Sequence, residues 1–106
     1  MNQACVVLTT AGSQEEARKI ARSLVERQIA ACVNIVPQVE SIYRWQGKVE
    51  SADEALAIFK LDAACYAKFE TTLRSLHPYD VPEIIAYKID NGLPEYLRWV
   101  TESCAT

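Results

Sequence analysis

The stretch AACVNIVPQVESIYRWQGKVESADEALAIFKL, residues 30–61, decides the fold. Residues 30–45 are rich in β-branched and aromatic types, the Gln46-Gly47 pair offers a tight reversal, and the segment from Lys48 returns with strand character. It reads as one long hairpin. Pro37 has no N–H to give to a ladder, so it belongs at an edge or a bulge, and the apolar register slips between Ile35, Val36 and Val39. The arms are expected to bend there. A hairpin that outruns the helices able to cover it exposes strand edges, which proteins blunt with charge or cover with another chain. The hairpin is therefore read as an assembly arm.

Upstream, ACVVLTTA (residues 4–11) is too short an apolar run for a helix and reads as a buried first strand. Ser13 and Glu16 have capping-box spacing, and Ala17, Ile20, Ala21, Leu24 and Val25 form one helical stripe, predicting a helix over Gln14–Gln28. Downstream, Asp62 is a candidate N-cap, and Tyr66, Phe69, Leu73 and Leu76 keep helical spacing up to the break at His77-Pro78. EIIAYKI (83–89) is a fourth strand. In NGLPEYLRWVTES, Pro94 suits the first turn of a tail helix that would place Tyr96, Trp99 and Val100 on one side. The order is βαββαβ plus a C-terminal helix: an α+β, ferredoxin-like fold with an antiparallel sheet, in a single domain over residues 1–106. Two helices cover one face of such a sheet. The other face, apolar here, needs a cover.

The 106 residues, half of them apolar, make one globular domain's worth of chain. A domain of this size buries roughly 60–70% of its unfolded surface, so self-association adds stability a thin core lacks. The 11 basic and 14 acidic residues leave a net charge of −3, without a basic block or Arg interleaved with aromatics. That excludes nucleic acid as the expected partner. The opening MNQACVVLTTAG lacks a positive n-region, and no apolar run reaches about 18 residues, so neither a signal peptide nor a membrane span is expected and the cytoplasm is the default location. Cys5, Cys32, Cys65 and Cys104 contain no CxxC pair and are expected as free thiols, the first three in apolar surroundings and Cys104 simply terminal.

His77, the only histidine, opens HPYDVPEII (77–85), directly before the first of its two prolines. It reads either as a ligand or as a polar residue in a rigid turn. It has no adjacent Cys or Ser and no acid at an orienting spacing, so nucleophilic catalysis is not expected.

Several motifs coincide in one chain: A-A-C-x-N at Ala30, S-x-Y-x-W-x-G at Ser41, Glu54 with Lys60, HPY-x-x-PEI at His77, and Y-x-x-W at Tyr96. In order and spacing they resemble the CutA family of divalent-cation tolerance proteins across nearly the whole chain. The resemblance implies a homotrimer joined through the long hairpin arms, clefts between subunits, and a non-enzymatic role in copper tolerance. It implies metal ligands on the first strand and at a histidine pair before the proline. Here Thr9 and Leu76 stand where some members carry a cysteine and a second histidine, which leaves His77, with Cys32 as a separate thiol. No cofactor is required; the expected partner beside a second copy is a divalent metal ion, with copper held weakly as Cu(II) or Cu(I).

A different reading starts from the aromatics. Tyr43 and Trp45 in the hairpin, Lys60, the turn residues His77, Tyr79 and Glu83, and Tyr96 and Trp99 in the tail would suit a small-molecule cleft, apolar with a few convergent polar groups. By architecture alone this alternative is a PII-like small-molecule or nucleotide sensor using intersubunit clefts.

Overall fold

The structure, a computed structural model, describes residues 3–105. Its elements are β1 (Ala4–Ala11), α1 (Gln14–Glu26), β2 (Cys32–Trp45), β3 (Lys48–Asp62), α2 (Tyr66–Leu76), β4 (Ile85–Lys88) and α3 (Pro94–Glu102). All pairings are antiparallel, in one sheet ordered β2-β3-β1-β4, which is the ferredoxin-like arrangement.

Local chemistry sets the boundaries. Ser13 is extended and its hydroxyl accepts from the Glu16 N–H at 3.1 Å, while the Glu16 carboxylate reaches back to the Gly12 N–H at 3.2 Å. α1 stops at Glu26, two residues before the expected end. Gln28 takes a left-handed φ of 60°, and the N–H groups of Gln28 and Ile29 bond back to the Val25 and Leu24 carbonyls, a Schellman closure. The hairpin turns at Gln46 and Gly47, both with positive φ, as a two-residue reversal requires. Asp62 accepts from Ala64 N–H at 3.0 Å and caps a 3₁₀ turn, Ala63–Cys65, that leads into α2. β4 spans only Ile85–Lys88, shorter than expected, because its sole partner is β1 over Cys5–Leu8.

Strand alternation sorts the sheet into two faces. Cys5, Val7 and Ala11 of β1 and Ala57, Phe59 and Leu61 of β3 are buried beneath the helices, where Phe59 meets Phe69 of α2 edge to face at 5.0 Å. Thr9 is buried on the same side. Val6, Leu8, Leu56 and Ile58 occupy the opposite face and are only half-buried; Ile85 and Tyr87 of β4 pair beside Leu8 and Val6 and are exposed. Among the described residues no helix lies over this apolar face.

The register between β2 and β3 shifts between Val36 and Val39, as Pro37 foretold. Before the shift Val36 opposes Leu56; after it Val39 opposes Glu54 and Tyr43 opposes Glu50. One inserted residue changes which side of the strand faces which side of the sheet. Tyr43 and Trp45 therefore join Glu54 and Ala52 on the open face, while Ile42 and Val49, both 68% exposed, lie on the other.

Two expectations are corrected at the C-terminal end. α3 buries Leu97 and Val100, whereas Tyr96 and Trp99 are 42% and 46% exposed, because its core stripe runs Leu97–Val100–Cys104. Cys104 is therefore a core residue. Its Sγ accepts from Asp62 N–H at 3.4 Å, and Cys65 Sγ donates to the Ala105 carbonyl at 3.3 Å. Burial pushes the Cys5, Cys65 and Cys104 thiols above their ordinary pKa; the Asp62 charge adds to this at Cys5 and Cys65, whereas at Cys104 the hydrogen bond from the Asp62 N–H works against it.

Candidate functional site

A cavity of about 580 Å³ lies where the outer arm of the hairpin, the end of β1 and the loop between α2 and β4 come together. Three aromatics form its walls: Tyr43 and Trp45 from β2, brought to this face by the Pro37 bulge, and Tyr79 from the loop. Three acids join them, Glu54 from β3 and Asp80 and Glu83 from the loop. Thr10, Ala52 and Val81 complete the lining, and none of these residues is basic.

His77 positions the loop. As the C-cap of α2 it is only 6% exposed, and its Nδ1 accepts from the Tyr79 N–H at 3.1 Å. Nε2 therefore carries the proton and donates to the Thr10 carbonyl at 2.7 Å. The imidazole joins the end of α2 to β1, and its ring lies 4.6 Å from that of Tyr79. From there the Tyr79 hydroxyl donates to Glu54 Oε2 at 2.8 Å, closing one wall. HPYDVPEII is a rigid turn built around its histidine.

The eight residues expected in one cleft divide into two neighbourhoods. Tyr43, Trp45, Tyr79 and Glu83 do line the cavity, and His77 supports it from behind. Lys60 lies six residues from Glu54 along β3, about 20 Å away at strand rise. It bonds the Asn34 side chain on the far part of the open face. Tyr96 and Trp99 lie tilted against each other, ring centres 5.6 Å apart, beside Cys32, whose Sγ lies 3.5 Å from the Tyr96 hydroxyl. The hydrogen bond to Cys32, then burial, raises the Tyr96 pKa. An extended strand separates residues that a compressed motif places together. Thr10, Asp80 and Val81 escaped the sequence reading, and Glu54 entered it only as part of a motif. The signal for Glu54 is its place beyond the bulge, on the face that Tyr43 reaches.

The metal donors do not meet either. Among the described residues no three His, Cys, Asp or Glu side chains converge to hold an ion. His77 and Cys32 share no site within a chain, and both imidazole nitrogens are already engaged. Cys32 is the one cysteine that the core leaves half-exposed.

The Tyr79 pKa is pushed up to about 12, first by burial, then by the hydrogen bond to Glu54 and the negative charges of Glu54 and Glu16. The raised value favours the neutral phenol in the fold. Its contribution is fully present below the ordinary pKa of 10.0 and is lost as pH climbs through about 12. Tyr79→Phe removes this loss, so between those values its melting temperature is expected to fall less steeply than that of the parent. Equal slopes in thermal melts across that window would show that Tyr79 ionises like a free tyrosine.

Comparison with known proteins adds a family and its relatives. The family model described as CutA1 divalent ion tolerance protein matches residues 5–103. The chain is 50% identical over 98 residues to the divalent-cation tolerance protein CutA of Thermus thermophilus, covering 92% of this chain and 95% of that one. It is 43% identical to "Protein CutA, chloroplastic" of Arabidopsis thaliana, over 92% of this chain and 54% of that protein. The chain spans about half the length of the mammalian and plant curated relatives it matches. A solved structure of the divalent cation tolerance protein (Cut A1) from Thermus thermophilus superposes with a TM-score of 0.93 at 48% identity, covering 96% and 99% of the two chains.

Proposed function

This chain belongs to the CutA1 divalent ion tolerance family, and from that premise we propose that it works as a homotrimer that takes up metal ions, copper as Cu(II) or Cu(I) among them, weakly and without catalysis. The observation that supports assembly is the uncovered apolar face: Val6, Leu8, Leu56, Ile58, Ile85 and Tyr87 lie side by side with no helix of the described residues above them. Copies packed on that face also bring together what one chain lacks. Cys32 opens β2 on the same face, opposite Lys60, and Cu(I) accepts as few as two thiolates. The donor set is then completed between chains, and no cofactor is needed for the fold. Four free thiols support a reducing compartment such as the cytoplasm; the chloroplastic relative shows that the compartment does not follow from the family. No described helix is long and apolar enough to cross a membrane.

Calorimetric titration of metal-free protein tests the metal reading. Cu(I) under reductant is expected to saturate, Cys32→Ser to abolish that saturation, and His77→Ala to leave it unchanged because the imidazole is occupied within the fold. No saturable heat from Cu(I), Cu(II) or Zn(II) sinks the reading.

A second reading is favoured by the cavity itself. Tyr43, Trp45, Tyr79 and Glu83 surround a space of small-molecule size, about 580 Å³, which supports a ligand-binding role. The nucleotide version is weaker. Glu54, Asp80 and Glu83 oppose phosphate, and Lys60, the lysine among the residues expected in the cleft, belongs to the other neighbourhood.

A further inference from the structure

We propose that the cavity between the bent hairpin and the His77 loop binds a small organic cation with an alkylated ammonium head, held between the faces of Tyr43, Trp45 and Tyr79 and balanced by Glu54, Asp80 and Glu83. The proposal rests on the small-molecule reading and names its ligand class. Aromatic walls carry it. Ring faces present the negative part of the aromatic quadrupole, and a cation within about 6 Å of a ring centre is attracted, most strongly by Trp. Aromatics on their own accept many apolar ligands; the acids decide the sign. All three charged residues of the lining are carboxylates, and the Tyr79 phenol stays neutral at ordinary pH beside Glu54.

The same geometry discriminates against a bare metal ion. A divalent ion needs several donors converging within about 2.0–2.6 Å of one point. Here the carboxylates are distributed around the cavity, and no metal-binding group of three forms among the described residues. One carboxylate is further occupied, since Glu54 accepts the Tyr79 hydroxyl. A diffuse, weakly hydrated charge suits this arrangement better than a compact one: it gives up little water, covers aromatic surface, and meets distributed acids without coordination geometry. Nucleotides and other anions are disfavoured by the same charges. The bulge at Pro37 is what makes the site possible, because in the unshifted register Tyr43 and Trp45 would turn away from Glu54.

The test uses the full chain carrying Trp99→Phe, so that Trp45 is the only tryptophan left of two. Choline is titrated against Trp45 fluorescence, with 3,3-dimethylbutan-1-ol as an uncharged probe of the same shape. Choline is expected to saturate the change, and the alcohol to bind at least about tenfold more weakly. Glu83→Gln, an exposed position where folding is not at stake, should weaken choline several-fold and leave the alcohol unaffected. Equal affinity for both probes overturns the cation assignment but keeps a small-molecule cleft. Saturation by ATP without choline does the same. No saturable response to choline, the alcohol or ATP removes the cleft reading and this proposal together.

Discussion

Phe59→Ala is expected to lower the melting temperature by about 12–40 °C at matched protein concentration. Phe59 is fully buried on the helix face of β3, against the equally buried Phe69. Truncating a core phenylalanine costs about 3–5 kcal/mol, because transfer energy is lost and the cavity collapses only in part. The edge-to-face pair adds its own smaller loss. For a domain near 100 residues each kcal/mol moves the midpoint by about 4–8 °C. That is a large share of the about 5–15 kcal/mol that holds such a domain together. Val81→Ala is the matched control. Val81, in the loop before β4 and off the hairpin arm, is 87% exposed, so its loss touches folding little. Melts in which the two variants shift alike would mean that the core does not centre on Phe59 and Phe69.

Ile58→Asp is expected to reduce the mass measured by light scattering from three times the 11.9 kDa chain to a single chain, with or without loss of the fold. Ile58 lies midway across the open face, opposite Leu8 on one side and Asn34 on the other. Water reaches it in one chain and would not in an assembly. A carboxylate desolvated there costs several kcal/mol per ion, and the cost recurs in every copy. A parent protein of single-chain mass ends the trimer proposal. An Ile58→Asp protein that keeps the parent's trimeric mass moves the interface off this face.

Both variants sit on β3, one residue apart, and their opposite expectations come from alternation alone: Phe59 points to the helices and Ile58 away from them. The strand of residues 4–11, the capped start of α1, the reversal at Gln46-Gly47 and the bend at Pro37 were legible in the sequence. Each follows from a local cause, such as side-chain period, a cap within three residues, or a missing N–H. The family motifs were legible for the same reason, being ordered spacings along a chain.

Tertiary structure decided the rest, because distance along a chain does not measure distance across a sheet. Tyr43 and Glu54, eleven positions apart, share a cavity through the bulge; Glu54 and Lys60, six apart on one extended strand, do not. Cys104, near the end of the sequence, became core when α3 turned Leu97 and Val100 inward. His77 stood open between a ligand and a turn residue because its partners were invisible: one is the carbonyl of Thr10, 67 residues away. Local sequence determined which elements form, while the facing of α3 and the convergence of side chains into a site depended on register and packing, which join residues that no spacing connects.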